Sequence, residues 1–215
     1  MTKAVLWDLD GTILDTTELI LGSYRYAFSK ILKREISETE AIANFGRTLA
    51  DVMSGYSPEK AEILIESYRE YNHKNHDRSI RPFPGIIDAL ANVQRRGFKQ
   101  AVVTSKTEWL SRKGLKLFDL EDYFDEIIGF ESTELHKPDG APVLEALKRL
   151  RVSPDEAIFI GDSAADAGCA QNADVRFVAV TWGPNSEFIE NCNAWTRIED
   201  PRDVLHIIPE KGPRI

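Results

Sequence analysis

Two aspartates stand directly after the first apolar run of the chain. Residues 4–7 are Ala-Val-Leu-Trp, a run typical of a buried strand, and Asp8 and Asp10 follow on either side of Leu9. Because side chains alternate along a strand, both carboxylates point to one side and Leu9 points to the other. Two such close carboxylates repel each other unless a cation lies between them or one keeps its proton. Taken alone, Asp10 and the glycine after it also fit a simple turn.

A second acidic pair, Asp162 and Asp166, follows another apolar run at residues 157–160. The spacing of four places both acids on one face at the start of a helix, where the helix dipole favours acids even without a function. Two acidic pairs at two strand ends change this interpretation, because the ends of parallel strands meet at one edge of a sheet. Four carboxylates gathered there need a cation, and oxygen ligands favour a hard metal ion, usually Mg²⁺ beside a phosphate substrate.

Hydroxyl and ammonium groups follow at two further points. Thr104 ends an apolar run and is followed by Ser105 and Lys106. A hydroxyl together with free backbone N–H groups at a strand end can hold phosphate oxygens. The hydroxyl of Thr104 or of Ser105 also fits the N-cap of a helix without any such function. Lys137 precedes a proline, which restricts it to an extended backbone. A single lysine is usually a solvated surface charge. Lys137 is therefore a candidate site residue only because acidic groups are predicted to lie near it.

The elements that must position these groups alternate between strands and helices. Helical patterns, such as the one marked by Ile86, Leu90 and Val93, lie between short apolar runs. This alternation predicts an α/β fold with a Rossmann-like parallel sheet covered by helices on both faces. After the first strand, the further predicted strands are residues 100–103, 126–128, 157–160 and 176–180.

One long stretch breaks the alternation and is predicted to be an all-helical cap domain inserted after the first strand. Apolar residues recur at helical spacing from Ile20 to Ile31, and a second amphipathic helix follows Pro58, with shorter helices expected between them. We expect a core domain of residues 1–15 and 83–215 and a cap domain of residues 16–82. Inserted there, the cap would hang over the carboxyl ends of the strands, where open α/β folds place their ligands.

Composition limits the partners of the chain. The 215 residues carry a formal net charge of −8, which argues against nucleic acid bound through its phosphate backbone. The two cysteines, Cys169 and Cys192, fit reduced thiols better than a disulfide framework. The first ten residues do not form a signal-peptide core and no apolar run reaches membrane-spanning length, so we expect a cytoplasmic protein without a membrane partner. The polar tail after Pro209 is expected to be loose, and the sequence assigns no oligomeric state.

The four segments described above, taken in order, resemble the motifs of the haloacid dehalogenase superfamily, and the helical insertion resembles its C1-type cap. The resemblance runs from Val5 to about Trp182 and is closest to the branch of phosphoglycolate phosphatases and their pyrophosphatase relatives. Two departures, Gly140 where a second proline is common and Asp174 where a glycine is common, affect only the placement within the superfamily. The segments that carry the resemblance are Asp8-Leu9-Asp10-Gly11-Thr12, Thr104-Ser105-Lys106, Lys137-Pro138 and Gly161-Asp162 with Asp166.

The resemblance implies a phosphatase that works through an aspartyl-phosphate on Asp8, with Asp10 as the acid and base. Thr104 and Lys137 would bind the transferring phosphoryl oxygens. Arg47 lies where related enzymes place a specificity loop and could pair with a second anionic group of the substrate. The Mg²⁺ ligands implied are Asp8, the backbone carbonyl of Asp10, Asp162 and Asp166, and the further substrate-binding residues implied are Leu9, Gly11, Thr12 and Ser105.

The expected substrate is a small anionic phosphate compound, with a phosphoglycolate phosphatase-like activity as the first hypothesis. An inorganic pyrophosphatase or a 5′-nucleotidase of the same family is the alternative, followed by a sugar-phosphate mutase and by a non-catalytic binding protein. A dehalogenase is disfavoured because dehalogenases of this superfamily lack the acid at position 10. A phosphonate-cleaving enzyme would need a cap lysine, and residues 35–59 contain none.

Overall fold

The fold is organised around a central sheet. The structure, a computed structural model, describes residues 1–210 apart from the side chains of residues 186 and 187. The strands in this part of the chain are β1 (Ala4–Trp7), β2 (Leu14–Asp15), β3 (Arg81–Pro82), β4 (Lys99–Val103), β5 (Glu126–Ile128), β6 (Ala157–Gly161), β7 (Arg176–Val180) and β8 (Thr196–Ile198). Six of them pair in parallel in the order β5-β4-β1-β6-β7-β8, and β2 and β3 form a small antiparallel pair.

Strand β1 lies in the middle of the sheet, and all four of its residues are buried. Ala4 pairs with Lys99 of β4 on one side and with Ala157 of β6 on the other, so the three strands end at the same level. The α/β class and the strands predicted from apolar runs are therefore confirmed. Strand β8 was not predicted, because its three residues, Thr-Arg-Ile, carry no apolar run.

Helices cover both faces of the sheet. Val5 and Trp7 pack on the side of α5 (Ile86–Arg95) and α10 (Val204–Ile207), whereas Ala4 and Leu6 pack on the side of α7 (Ala141–Leu150) and α8 (Ala164–Asn172), as strand alternation requires. Among the described residues, no helix is both long and apolar enough to cross a membrane. The helices are α1 (Thr17–Ala27), α2 (Glu38–Ile42), α3 (Leu49–Tyr56), α4 (Ala61–Asn75), α5 (Ile86–Arg95), α6 (Glu108–Lys116), α7 (Ala141–Leu150), α8 (Ala164–Asn172), α9 (Ser186–Asn191) and α10 (Val204–Ile207).

The inserted segment is helical, as expected: residues 16–80, all of which are described, contain α1 to α4 and short helical turns. Its own apolar cluster includes Tyr24, Phe28, Met53 and Leu64. Helix α1 continues into a π-helical turn at Phe28–Leu32, so the predicted long helix is present with a change of winding near its end. This segment, residues 16–80, forms the cap.

The two chain connections to the cap pair with each other. Leu14 of β2 lies opposite Pro82 of β3, and Asp15 lies opposite Arg81, whose Nη2 is 2.8 Å from Asp15 Oδ2. This pair was not predicted, because strands of two residues have no periodicity. The division into domains at residues 15/16 and 82/83 stays a prediction. The loose tail expected after Pro209 lies mostly in residues 211–215, outside the described residues.

A buried glutamine ties the sheet to its flanking layer. Gln100 of β4 is fully buried and accepts a hydrogen bond of 3.1 Å from Trp7 Nε1. Its Nε2 donates to the carbonyl oxygens of Leu90 (3.0 Å) and Tyr123 (3.1 Å). One side chain therefore forms hydrogen bonds with polar groups from three separate elements, and two of these three bonds are buried.

We predict that Gln100→Leu lowers the free energy of unfolding by at least about 2 kcal/mol, because the buried indole N–H of Trp7 loses its acceptor and the carbonyls of Leu90 and Tyr123 each lose a donor. Urea unfolding measures the change. Gln171→Leu, at an exposed position of α8, is the matched control and should stay within about 0.5 kcal/mol of the parent protein. Equal small effects for both variants would contradict the structural role of Gln100.

Candidate active site

The predicted site residues meet at one edge of the sheet. Asp8 follows β1, Thr104 follows β4 and Asp162 follows β6, and these three neighbouring strands end at the same level. Thr104 is buried, and its Oγ1 accepts a hydrogen bond of 3.2 Å from the backbone N–H of Lys106. The parallel register therefore brings together groups that are more than 90 residues apart along the chain.

Three carboxylates form a buried cluster. Asp8, Asp162 and Asp166 are 4%, 1% and 0% exposed, and one oxygen from each lies within 4.8 Å of the others. Burial, reinforced by Asp166 and only partly offset by Lys137, raises the pKa of Asp8 to about 7. Burial and then the charges of Asp8 and Asp166 raise the pKa of Asp162 well above its usual value. The cluster carries more negative charge than its surroundings compensate.

One lysine lies within this cluster. Lys137 Nζ is 2.7 Å from Asp8 Oδ1 and 2.6 Å from Asp166 Oδ1, and the lysine is 2% exposed. Burial alone would lower the pKa of Lys137, but Asp166 and Asp8 outweigh it and raise the pKa above its usual value. Lys137 is therefore charged and holds two of the three carboxylates in place.

Asp162 has only neutral partners. Asn185 Nδ2 donates to Oδ2 at 3.0 Å, and Thr12 Oγ1 donates to Oδ1 at 3.4 Å. Among residues 1–210, no lysine or arginine forms an ion pair with Asp162. Three buried carboxylates with a single ammonium group fit a divalent cation that prefers oxygen ligands, such as Mg²⁺. The side chain of Asp10 is not part of this cluster, so a metal contact of Asp10 would use its backbone carbonyl.

Asp10 faces a different cation. Lys106 Nζ lies 2.7 Å from Asp10 Oδ1, and both side chains are largely but not completely buried at the edge of the sheet. The pairing was not predicted, although a lysine two residues after Thr104 at the same strand end was a usable signal. The two aspartates of the first motif therefore pair with different cations: Asp8 pairs with Lys137, and Asp10 pairs with Lys106.

The start of α8 explains the spacing of the second acidic pair. Ser163 is the N-cap: its Oγ accepts from the N–H of Asp166 at 3.2 Å and donates to Asp166 Oδ2 at 2.5 Å. The N–H of Ser163 also donates to Asp166 Oδ2, at 3.0 Å. One carboxylate oxygen of Asp166 therefore caps the helix while the other contacts Lys137, so the structural interpretation of this acid applies, and its predicted metal-binding role stays a prediction.

The first motif leaves no space beside Asp162. Gly11 has a φ of 88°, and a Cβ on it would lie 2.5 Å from Asp162 Oδ2, so the position requires glycine. Thr12 is buried and donates to the same carboxylate. Leu9 is fully buried in the apolar core, which leaves only its backbone for the predicted contact with a substrate.

A cavity of about 560 Å³ opens above the sheet edge, between the core and the cap. Asp8, Asp10, Thr104 and Ser105 line it from the core side. Ser105 Oγ donates to the backbone carbonyl of Gly46 in the cap at 2.7 Å, so this predicted substrate-binding residue bridges the two parts. Arg47, the next residue, is exposed, lines the cavity, and donates from Nη1 to Asn44 Oδ1 at 3.1 Å.

Known proteins resemble this chain in sequence and in fold. The sequence model of a family described as haloacid dehalogenase-like hydrolase matches residues 5–180. Over 179 residues the chain is 46% identical to a provisionally named pyrophosphatase, PpaX, of Caldanaerobacter subterraneus subsp. tengcongensis, covering 83% of this chain and 81% of that protein. The pyrophosphatase PpaX of Halalkalibacterium halodurans is 33% identical over 208 residues, covering 97% and 94%. The crystal structure of a provisionally named phosphoglycolate phosphatase from Lactobacillus plantarum superposes with a TM-score of 0.87 at 25% identity, covering 97% and 100%.

We predict that Asp162→Asn stabilises the metal-free protein. The pKa of Asp162 is raised on folding, so the folded state loses stability as the pH rises above the ordinary value of 3.8. In EDTA the variant should be more stable than the parent at neutral pH by about 1 kcal/mol or more, and the gain should shrink as the pH falls. Urea unfolding over a range of pH measures both effects.

The exposed Asp155→Asn is the matched control and should show no such gain. Added Mg²⁺ should reverse the order, because binding to the folded state stabilises the parent protein and the variant lacks one carboxylate ligand. A variant that is less stable than the parent in EDTA at every pH would show that Asp162 is not a source of electrostatic strain.

Proposed function

The chain belongs to the haloacid dehalogenase-like hydrolases, and we propose that it is a Mg²⁺-dependent phosphatase that transfers the phosphoryl group of a small metabolite first to Asp8 and then to water. The observation that carries the proposal is the pairing of Asp8 with the buried Lys137 at the base of a cavity, with Asp10 beside it in a separate ion pair. This arrangement offers a nucleophilic carboxylate and a second carboxylate for proton transfer within one site.

The acidic cluster supplies the metal-binding part of the proposal. Asp8 and Asp162 would bind Mg²⁺ through their carboxylates and Asp10 through its backbone carbonyl. The ion would neutralise the carboxylates and the phosphoryl oxygens, which otherwise repel each other. Asp166 would either bind a water ligand of the metal or orient Lys137. Its 2.6 Å contact with Lys137 supports the second.

Asp8 and Asp10 have different roles in the proposed reaction. A carboxylate oxygen of Asp8 attacks phosphorus in line, and the bond to the leaving oxygen breaks, which leaves the phosphoryl group on Asp8. Asp10, in its protonated form, gives its proton to the leaving oxygen, and the carboxylate that results later takes a proton from the water that hydrolyses the aspartyl-phosphate. The position of Asp10 in the cavity wall, apart from the acidic cluster, supports a role in proton transfer.

The transferring phosphoryl oxygens would be held by Thr104 and Lys137. The ammonium group of Lys137 is already charged and fixed by Asp8 and Asp166, so it needs no reorganisation when charge develops on the phosphoryl group. Ser105 and the backbone of the first motif, from Leu9 through Gly11 to Thr12, would complete the phosphate site.

The identity of the phosphate substrate is a further part of the proposal. The resemblance to the solved structure named for phosphoglycolate favours a phosphate monoester, and the PpaX names of the two sequence relatives favour pyrophosphate. A screen of phosphoglycolate, pyrophosphate, nucleoside monophosphates and sugar phosphates, ranked by kcat/KM, compares the candidates directly. A cytoplasmic location and the absence of a nucleic-acid or membrane partner stay predictions.

We predict that Asp8→Asn lowers the turnover of p-nitrophenyl phosphate by at least about 10³-fold, because the amide is not a nucleophile. Phosphate release is measured with Mg²⁺ and with EDTA, and EDTA should abolish the activity of the parent protein. The exposed Asp88→Asn is the matched control and should retain parental turnover. Parental turnover by Asp8→Asn, in a preparation free of contaminating phosphatase, would overturn the mechanism.

We predict that Arg47→Ala raises KM for phosphoglycolate and pyrophosphate about tenfold, because one charged contact with the second anionic group is lost. The KM for p-nitrophenyl phosphate, which lacks that group, should change little. Arg25→Ala is the control, since Arg25 is an exposed cap arginine that pairs with Glu38. Equal effects of Arg47→Ala on all three substrates would remove Arg47 from the specificity role.

A further inference from the structure

The charged groups that the cap contributes to the wall of the cavity are cationic. Arg47, from the loop before α3, and Arg69, from α4, both line it, and we call these two residues the cavity arginines. The acids that line it, Asp8, Asp10 and Glu131, belong to the core, and none of the cap's acidic side chains, all of which are described, is among the lining residues. The cap as a whole has more acidic than basic residues, so the cavity arginines do not follow from its composition.

Arg69 lies on the face of α4 that lines the cavity. Glu66 precedes it by three residues, a spacing that allows an ion pair on a helix, and Glu70 directly follows it. Glu70 pairs with Lys30 at 2.7 Å, whereas Arg69 forms no ion pair in the part of the chain that the structure describes. Its charge is therefore available to a ligand. The residues of α4 that line the cavity at helical spacing are Ile65, Tyr68, Arg69, Asn72 and His73.

Arg47 is held in place by a neutral acceptor. Its Nη1 donates to Asn44 Oδ1 at 3.1 Å, and Asn44 is buried. The amide nitrogen of Asn44 donates to the carbonyl oxygen of Glu40 at 2.8 Å and to Tyr56 Oη at 3.1 Å, which fixes the orientation of the amide. The guanidinium group of Arg47 is therefore oriented by a side chain that does not compensate its charge.

Two arginines elsewhere on the cap pair with acids. Arg25 Nη2 lies 3.3 Å from Glu38 Oε2, and Arg34 Nη2 lies 2.9 Å from Glu40 Oε1. The cavity arginines differ from these two in having no carboxylate partner among the described residues. A guanidinium group without such a partner presents paired N–H donors, which match the two oxygens of a carboxylate or phosphate ligand.

An aromatic pair lies between the cavity arginines and the proposed place of bond cleavage. Tyr24 and Tyr68 both line the cavity, and their ring centroids are 5.1 Å apart. Burial, then Tyr24 and then Asp10 raise the pKa of Tyr68, whereas burial raises the pKa of Tyr24 and the charge of Arg47 partly offsets this rise. Tyr68 therefore interacts with the proposed acid and base, and Tyr24 interacts with Arg47. A leaving group released beside Asp10 would extend along this pair towards the cavity arginines.

We propose that the cavity arginines together bind a second anionic group, a carboxylate or a phosphate, on the leaving group of the substrate, and that Arg69 is thereby a specificity-determining residue. This inference rests on the proposed phosphatase activity and specifies its substrate class. An anionic leaving group would give both guanidinium groups a partner with at least two acceptor oxygens, whereas a neutral leaving group would leave them with water as their partner.

Three matched pairs of substrates measure the recognition of the second anion. Phosphoglycolate is compared with ethyl phosphate, and the phosphate esters of 3-hydroxypropionate and 4-hydroxybutyrate are compared with propyl and butyl phosphate. Within each pair, a carboxylate replaces a methyl group. In the pair whose length fits best, kcat/KM should be at least about tenfold higher for the carboxylate compound, the value of one charge-assisted hydrogen bond. Ratios near one in all three pairs would overturn the inference.

Variants of Arg69 test its own contribution. In Arg69→Ala, the ratio of kcat/KM between the carboxylate and the alkyl compound should fall by about fivefold or more. Arg69→Lys keeps the charge without the paired donors and should retain part of the ratio. Lys74→Ala removes an exposed cation of the same helix that does not line the cavity, so it should keep the parental ratio. A parental ratio in Arg69→Ala, or an equal loss for both members of a pair, would contradict the role of Arg69.

Binding to the Asp8→Asn protein separates this inference from the proposed function. Calorimetry in the presence of Mg²⁺ should give tighter binding of phosphoglycolate than of ethyl phosphate, and of pyrophosphate than of methyl phosphate. Adding Arg69→Ala should reduce both advantages. If this result is found while the parent protein releases no phosphate, the phosphatase proposal fails and the anion site stands. If the parent protein hydrolyses phosphate esters but neither advantage depends on Arg69, the anion site fails and the phosphatase proposal stands.

Discussion

The burial of three carboxylates against one lysine is the constraint on which the rest of the site depends. Asp8, Asp162 and Asp166 repel one another in an environment that screens charge poorly, and Lys137 compensates only part of that repulsion. Such a cluster is costly for folding alone, and the raised pKa values of Asp8 and Asp162 express this cost. A divalent cation at this site would offset the excess negative charge, and its binding would then stabilise the fold.

The surrounding structure holds the acids where repulsion would otherwise separate them. The register of β1 and β6 sets Asp8 and Asp162 side by side, and the capping interaction of Ser163 fixes Asp166 at the start of α8. The absence of a side chain at Gly11 lets the backbone approach Asp162 closely. Each contact is ordinary for a strand end or a helix start, and the unusual electrostatics arise because several of them coincide at one edge.

The sequence predicts the parts of this site that depend on local patterns. Apolar runs locate the strands, and the strand ends locate the acids, since parallel strands must end at a common edge. Lys137 was identified by resemblance to a known family, because its contact with Asp8 spans 129 residues and depends on strand register. The same reason explains why the pairing of Lys106 with Asp10, 96 residues apart, was missed.

The cap contacts the candidate active site directly through a few atoms. Ser105, directly after Thr104, donates to the carbonyl of Gly46, and any side chain on Gly46 would clash with Ser163. The loop that carries Arg47 therefore rests on the same serine that caps α8 and positions Asp166. A displacement of this loop would therefore change the positions of groups in the acidic cluster as well as the contacts of a bound substrate. Because of this contact, a change in the position of the cap loop is expected to alter the position of Asp166, and a change at the acidic cluster is expected to alter the cap loop.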